Sequence, residues 1–204
     1  MLNEIYARRE LVKICKLLYD RQLTVSAGGN MSMRIYDTEI LITPSGRNKG
    51  MLEPEDLVLM STKGKCLGPG KPSIEHKFHI ALYNMNRDTN AVIHCHPLHC
   101  VTLAVKGEGI KSNITPEGVL LLGDVPMIDY YTPGSKELVD AVAAQGRHKA
   151  MLLARHGAIT QGGTLEEAYN RMEELEFQAR LQLLCGDGVT DLPASEIAKL
   201  TKKR

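Results

Sequence analysis

The sequence predicts an α/β fold, in which a single domain packs helices around a central β-sheet. Stretches with helical periodicity alternate with short apolar strands along the chain, and this order typically produces a sheet covered by helices. The length of 204 residues suits one domain with a sizeable core. Because no repeat, low-complexity stretch or linker interrupts the order, we expect one domain over residues 1–204.

Composition and charge exclude several classes of protein. Lys and Arg number 25 against 24 for Asp and Glu, so the net charge of +1 offers little attraction to nucleic acid. The first twenty residues contain two arginines and no uninterrupted apolar stretch, so we expect no signal peptide, no membrane span and a cytoplasmic location. Five irregularly spaced cysteines do not resemble a disulfide framework.

The first elements are a helix and two short strands separated by loops. Residues 3–20 have the pattern of an amphipathic helix with Asn3 as its N-cap. Its predicted buried face contains Leu11, Ile14, Cys15 and Leu18. Three loops rich in Gly, Ser or Asn follow, one at 26–30 and two after the apolar strands that we expect within 39–50 and 56–73.

A second helix and a buried strand come next. The helix is expected after Pro72, with Ser73 as N-cap and Glu75 in the first turn. The residues predicted to face the core are Ile74, Phe78, Ala81 and Met85. The strand at 90–97 ends at Pro97, because proline cannot donate a backbone hydrogen bond.

The second half of the chain continues the alternation. Helices are expected at 98–107, 136–146 and 165–186, the last with a capping box formed by Thr164 and Glu167. One or two strands are expected within 118–135, and a strand interrupted at His156 and Gly157 within 148–163. The tail at 189–204 is polar and is expected to pack loosely.

Two histidines on the buried strand form a candidate metal pair. Side chains alternate between the faces of a strand, so His94 and His96 project to the same side while Cys95 points into the opposite layer. Open sites in α/β folds are usually built at strand ends, and Pro97 ends this strand. Alone, the pair is compatible with a metal site or with two unrelated histidines.

A third histidine strengthens the metal hypothesis. His156 lies in another apolar strand, and the following Gly157 permits a bend or a close approach of backbone. Three neutral imidazoles with one open coordination position are typical of a catalytic zinc site rather than a structural one. We therefore predict a divalent metal bound by His94, His96 and His156.

Other arrangements of ligands are less consistent with the spacing. Sites of the metallo-β-lactamase and cupin types need an acidic residue soon after the pair, where this chain has Leu98, His99 and Cys100. A structural zinc cluster of Cys95, His96, His99 and Cys100 is disfavoured because the strand directs Cys95 away from His96. The remaining histidines are expected at the surface or beside the site: His76, His79 and His148.

Glu75 and three loops suggest an anion site. A glutamate near a helix start is most often a favourable partner for the helix dipole. Here it follows a loop rich in Gly and Pro at 68–73, and free amides at a helix start readily bind phosphate or carboxylate. The segments 26–30 and 43–46 are either further anion-binding loops or ordinary turns.

Six short motifs, taken in order, resemble the class II aldolase and adducin head family, and within it the L-fuculose-1-phosphate aldolase type. They are Gly28–Ser32, Ile42–Gly46, Lys71–Glu75, His94–His96, Tyr130 with the Pro-Gly-Ser turn at 133–135, and Arg155–Gly157. Each motif alone is weak, but the ordered set is specific and covers most of the chain. The resemblance implies a three-layer α/β/α domain with a mostly antiparallel or mixed sheet.

The resemblance also implies an activity and a set of site residues. The expected enzyme is a class II aldehyde-lyase that cleaves a ketose 1-phosphate, such as L-fuculose 1-phosphate or a related pentulose or deoxypentulose phosphate, into dihydroxyacetone phosphate and an aldehyde. The metal, usually zinc with manganese or cobalt as alternatives, would be bound by His94, His96 and His156. Glu75 would transfer the proton and complete the coordination when substrate is absent. The phosphate would be held by Gly29, Asn30, Ser45, Gly46 and Ser73, in a homotetramer.

Three departures from the fuculose type keep alternatives open. Ile74 stands where that type commonly has a second serine, the segment 111–123 lacks the tyrosine used near the aldehyde, and the tail lacks covering aromatic residues. A decarboxylase or dehydratase of a sugar-acid phosphate is one alternative. A non-catalytic assembly module like the adducin heads is another, although the three histidines and Glu75 favour an enzyme.

Overall fold

The computed structural model describes residues 3–202, which form a seven-stranded mixed sheet between two layers of helices. The strands are β1 (Asn30–Tyr36), β2 (Glu39–Ile42), β3 (Val58–Ser61), β4 (Ala91–Cys95), β5 (Met127–Ile128), β6 (Ala150–Leu153) and β7 (Gly157–Gly162). The helices are α1 (Glu4–Asp20), α2 (His76–Met85), α3 (Leu98–Lys106), α4 (Lys136–Ala144), α5 (Leu165–Cys185) and α6 (Ala194–Thr201). The predicted α/β class and three-layer arrangement are confirmed.

The order of the strands places β4 at the centre of the sheet. Across the sheet the order is β3-β2-β1-β4-β7-β6-β5. Neighbouring strands are antiparallel, except that β5 and β6 run parallel. Strand β1 is missing from the sequence prediction, which places only a turn at 28–30. Its alternating polar and apolar residues, Asn30 to Met33, pair antiparallel with β4.

Two hydrophobic cores occupy the two faces of the sheet. One packs α1, α3 and α5 against the strands, and the other packs α2 and α4. In β4, Ile93 and Cys95 face the first core, whereas Val92 faces the second. His94 lies on the same side as Val92, edge-on to Phe78 of α2. The predicted separation of His94 from Cys95 is therefore confirmed, and it excludes a zinc cluster that combines Cys95 with His96.

Helix α1 agrees with the prediction in both its start and its buried face. The side chain of Asn3 accepts a hydrogen bond from the backbone N–H of Ile5 at 3.0 Å, which is an N-cap contact. The buried residues are Ala7, Leu11, Ile14, Cys15 and Leu18. Their spacing lets α1 cover the β1 side of the sheet.

Helix α2 begins later than predicted. Its first residue is His76, with Glu75 at the N-cap position, so Glu75 precedes the first turn. Ser73 is not the N-cap, and its hydroxyl instead accepts a hydrogen bond from the N–H of Glu75 at 3.3 Å. The reason is that the N–H of His76 donates to the carbonyl of Ser73 at 3.1 Å, so Ile74 and Glu75 form a turn before the regular helix begins.

The predicted apolar stripe of α2 is confirmed only at Phe78, which is fully buried. Ile74 and Met85 are more than half exposed, and the residues that pack against the sheet are Phe78, His79, Ile80, Leu82 and Tyr83. The buried face of α2 is therefore rotated about the helix axis from the predicted stripe, with Phe78 common to both. Two polar residues, His79 and Tyr83, consequently enter the layer between α2 and the sheet.

Three elements of the second half differ in detail. The segment 118–135 contains only the two-residue strand β5, because Gly118–Leu122 form a π-helical turn whose Val119 and Leu122 are buried. The predicted interruption at His156 is a hairpin turn between β6 and β7. The capping box of α5 is half formed: Thr164 accepts from the N–H of Glu167 at 3.0 Å, while the Glu167 carboxylate accepts from Gly163.

The C-terminal tail carries helix α6, which has no buried residues. The N–H of Leu192 donates to the carbonyl of Asn113 at 2.8 Å and ties the tail to the domain. The ends of the expected domain, residues 1–2 and 203–204, lie outside the described residues. Across 3–202, every helix is too short or too polar to span a bilayer.

Candidate active site

The three predicted metal ligands converge where β4 ends and β7 begins, among the central strands of the sheet. His94 is the penultimate residue of β4, and His96 follows its end. The antiparallel strand β7 begins at Gly157, with Ala158 opposite Cys95, so His156 lies beside the end of β4. The nitrogen ligand atoms of the three histidines all lie within 4.8 Å of one another.

A tight hairpin presents His156 to the other two histidines. Arg155 adopts a φ of 55°, a left-handed conformation that is uncommon for a residue other than glycine. A Cβ at Gly157 would lie 2.4 Å from the carbonyl oxygen of Cys95 and 2.6 Å from the ring of His96. Only glycine therefore permits β7 to start so close to the end of β4, as the sequence pattern suggested.

Glu75 lies directly against the histidines. Its Oε2 is 3.4 Å from Nε2 of His94, and its Oε1 is 3.7 Å from Nε2 of His156. The carboxylate is 6% exposed, and Oε1 has no hydrogen-bond partner among the described residues. Asn30 donates to Oε2 at 2.8 Å. A buried carboxylate oxygen without a donor, facing histidine nitrogens, is a suitable ligand for a cation.

The protonation of the histidines favours metal binding. Burial lowers the pKa of His94 well below its usual value, and the neighbouring His96 and His156 lower it further. Burial also lowers the pKa of His96 to about 4, and that of His156, which the nearby Glu75 partly offsets. Neutral His94 donates from Nδ1 to the carbonyl of Ala158 at 3.0 Å. Its Nε2 therefore carries a free lone pair directed at the site.

This donor set fits a divalent cation. Three imidazole nitrogens and a carboxylate oxygen are ligands that zinc accepts, and manganese and cobalt are compatible with them. His94 Nε2 and His96 Nε2 are 3.2 Å apart, so both can approach one ion. The geometry is a candidate metal centre, with Glu75 placed either to coordinate or to exchange a proton.

The predicted phosphate loops lie side by side next to this centre. The N–H of Ser45 donates to the carbonyl of Lys71 at 2.9 Å, and Ser73 bonds back to Thr43. The loop at 26–30 is connected to the other two through Thr43. The N–H of Thr43 donates to the carbonyl of Met31, the residue after Asn30. The structure thus brings together all the segments that contain Gly29, Asn30, Ser45, Gly46 and Ser73.

Gly29 and Asn30 are closest to the histidines. Gly29 has a φ of +69°, and a Cβ there would lie 2.5 Å from the carbonyl oxygen of His94, so both its conformation and its packing require glycine. Asn30 pairs with His94 across the β1–β4 ladder. Its side chain contacts Glu75 and His79.

Lys49 connects the loop at 26–30 to the segment that follows the loop at 43–46. Its side chain is 1% exposed, and its ammonium donates to the carbonyls of Ala27 and Arg47, both at 2.9 Å. Its backbone N–H donates to Ser26 at 3.2 Å. Burial lowers the pKa of Lys49, and the two carbonyls that accept from its ammonium connect the loop at 26–30 to Arg47.

Sequence reasoning missed Lys49, Ser32 and the role of His79. A signal was available for Ser32, because Asn30 and Ser32 alternate with methionines in β1 and must share one face of the strand. His79 was expected at the surface or beside the site, and the structure buries it completely against Asn30. His148 lies near Asp124 before the start of β6, whereas His156 follows the opposite end of that strand.

Comparison with known proteins shows the family of the chain. Residues 9–183 match the model of the Class II Aldolase and Adducin N-terminal domain. The chain is 38% identical to a 3-oxo-tetronate 4-phosphate decarboxylase of Escherichia coli O6:H1, over 95% of this chain and 94% of that protein. It is 36% identical to an L-fuculose phosphate aldolase of Methanocaldococcus jannaschii, over 87% and 96%.

A solved structure extends the similarity to the fold. The Escherichia coli protein YgbL superposes with a TM-score of 0.92 at 35% sequence identity, covering 98% of this chain and 99% of that chain. The match includes the strands and the hairpin that position the histidines, since it spans nearly the entire molecule. On the family model, the two sets of relatives and this superposition, the chain belongs to the class II aldolase and adducin N-terminal domain family.

Proposed function

We propose that this protein is a metal-dependent carbon–carbon lyase that decarboxylates a 3-oxo sugar acid carrying a terminal phosphate. The observation that carries the proposal is the convergence of three neutral imidazoles and Glu75 on one point beside the phosphate loops. Bound there by His94, His96 and His156, a divalent ion would supply Lewis-acid polarisation of the ketone and the adjacent hydroxyl of the substrate.

Glu75 handles the proton in this proposal. Loss of carbon dioxide from a 2-hydroxy-3-oxo acid breaks the bond between C1 and C2 and leaves an enediolate. Glu75, in its protonated form, then donates a proton to C2 and gives dihydroxyacetone phosphate when the substrate is a 3-oxo-tetronate 4-phosphate. The unpartnered Oε1, which faces the site, is the oxygen placed to carry that proton.

Decarboxylation is favoured over aldol cleavage by what the chain lacks. An aldolase must accept a proton from the hydroxyl that becomes the aldehyde, and the fuculose type uses a tyrosine near that end. The segment 111–123 contains no tyrosine, and 189–204 contains no aromatic residue. The relative named as a decarboxylase is 38% identical to the chain, against 36% for the aldolase. Carbon dioxide leaves without needing such a group.

Aldol cleavage of a ketose 1-phosphate, such as L-fuculose 1-phosphate, is the second candidate. The 36% identity to an L-fuculose phosphate aldolase supports it, and retro-aldol cleavage produces the same enediolate. A dehydratase of a sugar-acid phosphate and a non-catalytic module of the adducin-head kind rank lower. A non-catalytic role would leave the complete set of three histidines and Glu75 unexplained.

The other features of the proposal follow the same reasoning. The phosphate is assigned to Gly29, Asn30, Ser45, Gly46 and Ser73, with Lys49 connecting the loop at 26–30 to the segment after Gly46. The expected metal is zinc, with manganese and cobalt as alternatives. A homotetramer in the cytoplasm, without nucleic-acid or membrane partners, is the assembly and location that we propose.

The test is to identify both products from one substrate panel. Purified protein loaded with zinc, manganese or cobalt is given 3-oxo-tetronate 4-phosphates and L-fuculose 1-phosphate. Triose phosphate is measured by coupled reduction, and carbon dioxide by a separate carboxylase-coupled assay. We expect equimolar triose phosphate and carbon dioxide from the keto acid. Triose phosphate from the ketose phosphate at higher kcat/KM would establish the aldolase instead, and no product from any substrate would overturn the lyase.

A further inference from the structure

A buried line of polar side chains extends from Glu75 into the layer between α2 and the sheet. Asn30 contacts Glu75 at 2.8 Å and His79 at 2.5 Å. Ser32 then contacts His79 and Tyr83, each at 2.7 Å. All five residues are buried, with exposures between 0% and 6%. Such a line in an otherwise apolar layer is costly unless each group is hydrogen-bonded.

Chemistry fixes the direction of the hydrogen bonds nearest to Glu75. An ionised carboxylate only accepts, so the group of Asn30 that faces it must be the amide NH2. The carbonyl oxygen of Asn30 then faces Nε2 of His79 and accepts a hydrogen bond from it. A flipped carboxamide would set its oxygen against the oxygen of the carboxylate, where neither group can donate.

The rest of the line has one consistent direction as well. Burial lowers the pKa of His79 to about 3, so the ring is neutral and, with its proton on Nε2, has a free lone pair on Nδ1. The hydroxyl of Ser32 donates to that Nδ1, and the hydroxyl of Tyr83 donates to Ser32. The line therefore holds His79 in the tautomer that Asn30 requires.

We propose that His79 is a positioning residue: through Asn30 it holds the carboxylate of Glu75 so that Oε2 is hydrogen-bonded and Oε1 faces His156. The role rests on the proposed function, in which Glu75 moves the proton. The competing explanation is purely structural, because His79 also stacks on Phe78 with ring centroids 4.7 Å apart. The two explanations differ in what a substitution of His79 does to Asn30 and to kcat.

The first test examines the native arrangement without any substrate or metal. Metal-free protein labelled with 15N-histidine is studied by long-range 15N–1H correlation of the imidazole rings, and the His79 signals are assigned by their loss in His79→Gln. We expect an Nε2–H tautomer with an unprotonated Nδ1 between pH 7.5 and 5. A ring with its proton on Nδ1, or a charged ring, would overturn the proposal.

The second test compares two substitutions of His79. Glutamine can place a donor near the position of Nε2, whereas leucine cannot. We expect His79→Leu to lower kcat by about 10–100-fold with little change in KM or metal affinity, and His79→Gln to recover most of that loss. Equal loss in both variants, or a loss in His79→Leu that resides in KM or metal content, would favour the structural explanation.

A double-mutant cycle with Asn30 identifies the route of the effect. If His79 acts through Asn30, then His79→Leu costs little further activity once Asn30→Ala is present. Fully multiplicative losses would contradict the proposal. If the wild-type protein turns over no substrate, the proposed function fails, and hydrogen exchange of the Asn30 side-chain amide decides the positioning role. We expect slow exchange in the wild type and His79→Gln, and fast exchange in His79→Leu; equal rates would overturn the role.

Discussion

The two faces of the central strands β1 and β4 carry different kinds of side chain. On the side of α1, α3 and α5, the residues of β1 and β4 are apolar, as in Met31, Met33, Ile93 and Cys95. On the side of α2, the same strands carry Asn30, Ser32 and His94, which connect to Glu75 and His79. The first layer contributes only apolar burial. The second layer also contains the buried polar groups of the candidate site. Neighbouring residues of a strand should therefore differ in what they affect, either stability or turnover.

The largest effect is expected from a substitution that removes proton transfer on the polar face and leaves the apolar face unchanged. Glu75→Gln keeps the shape of the side chain and the contact with Asn30 but cannot exchange a proton. We expect kcat to fall by about 10²–10⁴-fold, with metal content measured by elemental analysis and unfolding by urea largely unchanged. Retained turnover would remove Glu75 from the proton transfer, while loss of bound metal would assign it mainly to coordination.

The second prediction concerns a substitution that weakens the packing of the apolar face and leaves the polar face unchanged. Leu103 of α3 is fully buried in the core that lies away from the site. Leu103→Ala removes buried methyl groups and leaves a cavity, so the free energy of unfolding should fall by about 2–5 kcal/mol. Urea unfolding followed by circular dichroism measures this loss. We expect kcat per folded, metal-loaded molecule to remain unchanged, and a proportional fall in kcat would show that the two faces are not separable.

The third and smallest effect is a dependence on pH that belongs to the polar face. The folded pKa of His79, lowered to about 3 by burial, is below its unfolded value of 6.5, so below pH 6.5 the unfolded chain binds a proton that the folded chain does not. Stability from this residue is therefore complete above pH 6.5 and is lost as pH falls towards 3. The loss should be about 1.4 kcal/mol per pH unit.

The measurement uses urea unfolding of metal-free protein at pH 7.5 and 5.5. The reference is His79→Gln, which cannot titrate and retains the other histidines, so their contributions cancel in the difference between the proteins. We expect the wild type to lose more stability than the variant over this interval. Identical losses would mean that His79 titrates normally, in conflict with its complete burial.

Much of the site could be predicted from local patterns. The spacing of His94 and His96 on a strand put both rings on one face, and the glycine after His156 indicated a close approach of backbone. Helices α1, α3, α4 and α5 agreed because their periodicity and caps are local properties. Glu75 was found through its place near a helix start, although the start itself lies two residues later than expected.

The remaining features depend on contacts between segments distant in sequence. The segment before α2 is anchored by the bond from Ser73 to Thr43, and packing against the sheet and α4 decides which face of α2 is buried. The burial of Lys49 and His79 followed from loops and strands that meet only in the folded chain. No local pattern distinguishes these residues from ordinary surface Lys and His, because their neighbours come from elsewhere in the sequence.

The sequence by itself determined the α/β class and indicated the three histidines and Glu75 as candidate ligands, because residue type and strand alternation are local. Only the tertiary structure decided that β7 lies beside β4, which brings His156 to His94, and that Asn30 lies between Glu75 and His79. The physical reason is that strand order and side-chain packing are selected by the whole core, whose pairings no single segment encodes.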